Sequence, residues 1–133
     1  MKEAKIKEIK QWLVKSQRDL GSARLLIKGR YLDTAVYHCQ QAVEKAIKAY
    51  LTYHDVSFEK THNLVALLAF CVPLEPSFEQ WRETAEILTP YATEFRYPGD
   101  VLEPELSEAK EALNRAESLV NFIMQLLPPE VKT

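Results

Sequence analysis

The chain has 133 residues, 47% hydrophobic and 27% charged, with only three glycines. That composition is globular, too apolar for a disordered segment and too poor in Gly for a fibrous one. A formal net charge of −2 excludes a global attraction to phosphate backbones, so any contact with nucleic acid has to come from a local basic cluster.

The length predicts one domain over residues 1–127, with "PPEVKT" as a frayed tail at 128–133. In the first twenty-eight residues Ile6, Ile9, Leu13, Ser16, Leu20, Ala23 and Ile27 advance by threes and fours. This is the period of an amphipathic helix with Lys and Glu outside. Its opening, "MKEAKIKEIKQWLVKSQRDL", interleaves charge with hydrophobe, unlike a signal peptide, and no apolar run in the chain reaches the roughly 18 residues of a membrane span. A soluble cytoplasmic protein is expected. "KGRYLD" breaks the first helix, with Gly29 the candidate for the left-handed terminating residue. Tyr31 then opens a second helix reaching about Tyr53, and the two should form a hairpin.

Within that second helix Gln41, Glu44, Lys45 and Lys48 share one face, opposite Cys39, Ala42, Val43, Ala46, Ile47 and Tyr50. The polar stripe reads either as a solvated face carrying a Glu44–Lys48 pair, or as half of a site that Tyr37 and His38 extend. After the polar "HDVSFEKTHNL", Leu64, Leu67, Leu68 and Cys71 predict a short third helix with Thr61 as its N-cap, stopped by Pro73. Pro76 and Ser77 restart the chain. Phe78, Trp81, Ala85 and Leu88 mark a fourth helix ending near Pro90. "YATEFRYPGDVLEPE", with two of the seven prolines and a Gly-Asp pair, reads as loop. Leu106, Ala109, Leu113, Ala116, Val120, Ile123 and Leu127 then form the seam of a long packing helix. With no period-two β-branched run, the fold class is all-α, an up-and-down bundle of about five helices.

No Gly-rich phosphate loop, Ser/His/Asp arrangement or metal cluster is visible. Cys39 and Cys71 sit among apolar helical residues without a paired-Cys spacing, so they read as core, and no metal or other cofactor is expected. His62, beside Thr61, reads as a capping or packing ring, or as a general base or phosphate donor. Arg96, flanked by Phe95 and Tyr97 on a Pro-fixed loop, suits either a buried ion pair, with Glu44 as candidate partner, or a receptor for phosphate or carboxylate.

Three segments in order, "DLGSARLLIKGRYLDTAVYHCQQAVEKAIKAYL", "KTHNLVALL" and "LTPYATEFRYPGD", resemble the HEPN family, the higher eukaryotes and prokaryotes nucleotide-binding domain. The resemblance spans residues 18 to 127. It rests on Gly29 and Tyr31, on His38 with Gln40 to Lys45, on Lys60 to His62, and on Tyr91 with Arg96 to Pro98. It implies a bundle similar to the C-terminal helical domain of kanamycin nucleotidyltransferase, often a homodimer. It also implies a partnership with a minimal nucleotidyltransferase in a toxin–antitoxin pair, and a nucleotide or RNA as ligand.

Many family members are metal-independent ribonucleases whose motif is an Arg, four to six residues, then a His. Here no His follows Arg96, since the three are His38, His54 and His62. The ribonuclease motif is incomplete and a binding or interaction module is expected, the alternative being a divergent ribonuclease toxin that uses Arg96 and His62. The ligand-binding residues expected are Tyr37, His38, Gln41, Glu44, Lys45, Lys48, His62, Tyr91, Arg96 and Tyr97, lining one polar groove of the bundle or of its dimer interface.

Overall fold

The computed structural model describes residues 1–99 and 103–132. Among them are five α-helices and no strand: α1 Glu3–Lys28, α2 Leu32–Tyr53, α3 Leu64–Cys71, α4 Arg82–Leu88 and α5 Leu106–Leu126. Three short 3-10 segments, Pro76–Trp81, Thr89–Ala92 and Pro129–Val131, join or follow them. The last residues of the "FRYPGDV" stretch, Asp100 and Val101, lie outside the described residues.

Helices α1 and α2 form the expected hairpin, and α2 is the hub, packing against α1, α3, α4 and α5. The α1 seam is buried as its spacing requires, at Ile9, Leu13, Ser16, Leu20, Ala23 and Ile27. Ser16 fits there because its hydroxyl donates to the Ala42 carbonyl of α2 at 2.7 Å, a small residue that satisfies its own polar atom where two helices approach. On α5 the small side chains Ala109, Ala112 and Ala116 let that helix approach closely as well. Phe78, fully buried, ties the layers together, with its ring 4.9 Å from Tyr50 of α2 and 5.1 Å from Phe122 of α5.

Three local expectations are corrected. Gly29 is not left-handed: its φ is −80°, and Arg30 takes the positive φ of 65°. The reason is the terminating motif, in which Tyr31 N–H donates to Leu26 O and Arg30 N–H to Ile27 O, so the left-handed place falls one residue after the glycine. Gly29 is small for another cause, since a Cβ there would come within 3.1 Å of the Tyr31 ring. The same motif closes α2, with Val56 N–H on Leu51 O, Asp55 N–H on Thr52 O, and Asp55 left-handed at φ 57°. At α3 the N-cap is Asn63 rather than Thr61; the Asn63 side-chain carbonyl accepts from Val65 N at 3.0 Å and Ala66 N at 3.2 Å. Thr61 acts one step earlier and accepts from Asn63 N. Finally, the tail is anchored at Val131, while Lys132 is exposed. Pro129–Val131 form one turn, and Val131 is 1% exposed because it joins the hydrophobic core.

The region from Pro76 to Ala92 departs from a single helix in a smaller way. It begins and ends as 3-10 turns around α4, with Pro76 and Pro90 in the first turn of each.

A left-handed Arg at a helix end, with no side-chain partner among the described residues, is a local conflict that glycine relieves. Arg30→Gly is expected to raise stability by about 1 kcal/mol, the usual cost of that conformation for a side-chain-bearing residue. Urea midpoints at unchanged slope measure it.

Candidate functional site

The polar stripe of α2 is not a solvated face. Gln41 is 8%, Glu44 4% and Lys48 8% exposed, and Gln40, which the stripe did not include, is fully buried. Buried polar groups of this kind have to find partners in the protein, and they do so in two groups along the helix.

The first group centres on Glu44. One carboxylate oxygen faces His62 Nδ1 at 2.8 Å and accepts from Gln40 Nε2 at 3.1 Å; the other accepts from Lys48 Nζ at 3.0 Å. Gln40 also donates to the His62 carbonyl at 2.8 Å, which fixes the chain entering α3 onto α2. Lys48 lies 5.6 Å from the Trp12 ring centroid and 5.8 Å from that of Phe58, an aromatic lining for its buried cation. Burial alone would raise the Glu44 carboxyl, but the hydrogen bonds from His62, Lys48 and Gln40, with the charge of Lys48, outweigh it and hold the group below its ordinary 4.5.

The second group centres on Asp19 of α1, 7% exposed. It meets His38 Nδ1 at 2.7 Å with one oxygen and Lys45 Nζ at 2.6 Å with the other. The carboxylate fixes the ring and leaves Nε2 as the nitrogen that Asp19 does not engage. Beside it opens a cleft of about 330 Å³ lined by Asp33, Thr34, Tyr37, His38, Phe95 and Arg96. Arg96 is exposed, with its guanidinium carbon 3.7 Å from the Tyr37 ring centroid and no hydrogen-bond or ion-pair partner among the described residues. The loop is turned to reach this place by Phe95, which has a φ of 65° and stacks on Tyr91 with centroids 6.3 Å apart. A left-handed phenylalanine is uncommon, and such strain gathers at functional sites.

The structure therefore divides the expected groove. His62 belongs to the Glu44 group and Arg96 to the Tyr37 cleft. Their anchors on α2 are seven residues apart, roughly 10 Å along the axis. The Arg96–Glu44 ion pair is not formed, because Glu44 is already engaged by four other side chains, those of His62, Gln40, Gln41 and Lys48. Tyr91 is a core residue, 5% exposed, whose hydroxyl donates to Glu108 at 2.6 Å; burial first, and then that hydrogen bond, push its own ionisation upward. Tyr97 is 66% exposed. Sequence reasoning missed Asp19, whose signal was a carboxylate next to Leu20 and three residues from Ser16, on the buried side of α1. Among the described residues no group of three His, Cys, Asp or Glu side chains could hold a metal ion, and no helix is long and apolar enough to cross a membrane.

A family model described as the HEPN domain matches residues 9–127. The chain belongs to the HEPN family. Among its relatives, a protein of Methanocaldococcus jannaschii named "Putative toxin MJ1304" is 30% identical over 138 residues, covering 92% of this chain and 90% of its own. The crystal structure of TT1696 from Thermus thermophilus superposes with a TM-score of 0.77 at 26% identity, covering 90% of this chain and 98% of that one. ST0689, described as an archaeal HEPN homologue, gives 0.71 at 26% identity, covering 95% and 98%. The five-helix HEPN bundle expected from the sequence is the observed fold.

The Glu44 cluster sets an acid limit on this HEPN fold. A carboxyl lowered by folding contributes stability that is complete above the unfolded value of 4.5 and is lost as pH falls through the lowered folded value. Glu44→Gln leaves Lys48 buried without its counter-charge and is expected to cost about 2–4 kcal/mol at pH 7. The gap between variant and wild type should narrow below pH 4.5, as followed by denaturant titration across pH.

Proposed function

We propose that this HEPN protein is a phosphate-binding module that receives a nucleotide or RNA strand at the Arg96 cleft. In this reading it acts beside a minimal nucleotidyltransferase in a toxin–antitoxin type of pair. The observation that carries the reading is the guanidinium of Arg96, laid on Tyr37 with its donors unclaimed by the described residues. The ring holds the guanidinium carbon in place while its N–H donors stay available to an oxyanion, for which Arg offers a bidentate fork that Lys lacks. The kinship with a protein named as a toxin supports the pairing. The homodimer implied by the family resemblance is kept as part of this reading, supported by Leu25 and Tyr31, 70% and 63% exposed at the α1–α2 turn.

A second reading, RNA cleavage, is favoured by one observation: an imidazole does line the Arg96 cleft, and it is His38 rather than His62. Held by Asp19, His38 has the arrangement of a general base with its orienting carboxylate. Arg96 would then stabilise charge on the phosphate.

Calorimetry with ATP and with a short oligoribonucleotide tests the first reading. Wild type should bind with affinity that falls as salt rises, and Arg96→Ala should weaken it at least about tenfold, roughly 1.4 kcal/mol. Equal heats for the two proteins would remove the phosphate site. His38→Ala should leave binding within a few-fold of wild type. Metal-independent cleavage of a mixed RNA by wild type that His38→Ala abolishes would replace the first reading by the second. Co-expression with the adjacent reading frame, followed by sedimentation of the purified product, checks the partner and the dimer.

A further inference from the structure

Nine of the seventeen Lys and Arg residues fall in the first thirty positions, against three of the nineteen Asp and Glu, leaving eight against sixteen for the rest of the chain. Two of the α1 cations are engaged, Lys5 with Asp55 and Arg24 with Glu117. Lys7, Lys10, Lys15 and Arg18 have no ion pair among the described residues. Three of these four, with Glu3 and Gln11, border an open face of α1 of about 570 Å³ centred on Ile6 and Val14, the latter 53% exposed. An adjoining hollow shares Lys10 and Val14 and continues past Arg18 to Met124 and Val131. The result is an aliphatic strip with a cationic edge along the N-terminal half of α1.

We propose that this face docks an acidic amphipathic helix of a partner protein. Ile6 and Val14 lie eight residues apart, roughly 12 Å, which matches apolar anchors two turns apart on a facing helix. The flanking lysines meet carboxylates on its polar side, as charge complementarity across an interface requires. A symmetric contact of this face with the same face of a second copy fits poorly, because it would bring the same uncompensated cations together. A nucleic acid fits it less well than a helix does, because the centre is aliphatic and offers bases no stacking platform. The face is also separate from the Arg96 cleft. Lys5 and Glu8 of α1 meet Asp55 and Thr52 at the far end of α2, whereas the cleft lies at residues 33–38.

The test uses the full chain and a fluorescein-labelled synthetic helix of about four turns, with Leu at heptad a and d positions and Glu elsewhere. Binding is expected with affinity that weakens as salt rises. Lys7→Glu with Lys10→Glu, and separately Val14→Asp, should each weaken it at least about tenfold while the circular-dichroism melt stays in place. Absence of binding, or equal binding of a peptide with Lys in place of Glu, overturns the proposal. Tighter binding of an oligo-uridine that the same variants abolish would make the face a nucleic-acid surface. A dimer dissolved by Val14→Asp would make it a self-contact. Each of these outcomes leaves the Arg96 reading standing, since Arg96→Ala is scored on a different ligand.

Discussion

Helix α2 has little surface of its own. Fifteen of its twenty-two residues are buried, and among them are a carboxylate, a lysine and two glutamines. A charge withdrawn from water is tolerated only when paired and hydrogen-bonded. The rest of the bundle is arranged to meet that demand: α1 presents Asp19 to His38 and Lys45, and the chain entering α3 presents His62 and its carbonyl to Glu44 and Gln40. Short polar bonds thus fix the register of α1 and the entry of α3 on the central helix. Apolar packing alone would leave that register less determined, because a stripe of Ala, Val and Ile can slide with modest cost.

The same demand shapes the candidate site. Asp19 is buried to balance Lys45, and in doing so it fixes an imidazole at the edge of a cleft. Tyr37, one residue before His38, turns outward and carries the Arg96 guanidinium. The strained backbone at Phe95 belongs to this arrangement, since it delivers Arg96 from a loop that follows α4 to a ring on α2. The Asp19 pairing therefore reaches the edge of the proposed site, so a substitution at Asp19 would unpair Lys45 and release the His38 ring together.

Much of this was legible in the sequence, for physical reasons that also mark where legibility stopped. Threes and fours in the apolar pattern marked α1, α2 and α5 nearly to the residue, because a long amphipathic helix has no competing period. The order of motifs pointed to the family. What periodicity cannot report is how deeply a polar face is covered: Gln41, Glu44 and Lys48 read the same whether solvent or another helix lies over them. It also cannot say which of three histidines reaches a given loop. His62 stood out as the candidate because it sits in a motif, yet the hairpin geometry put His38 beside Arg96 instead. At the turns, composition pointed to Gly29 and Thr61, while the hydrogen-bond pattern assigned the special roles to Arg30 and Asn63, one and two positions later.

Cys39 and Cys71 have a practical consequence. Both are fully buried, and burial pushes each thiol up to about 12, with the carboxylate of Glu117 adding to the effect at Cys39. The thiolate is the reactive form, so neither sulfur presents a nucleophile to maleimide, peroxide or glutathione while the bundle is folded. A single cysteine introduced at an exposed position such as Gly21 becomes the one addressable handle for a spin label or fluorophore. Labelling of the native pair in turn becomes a clock for global opening, because each thiol reacts only when the core around it comes apart.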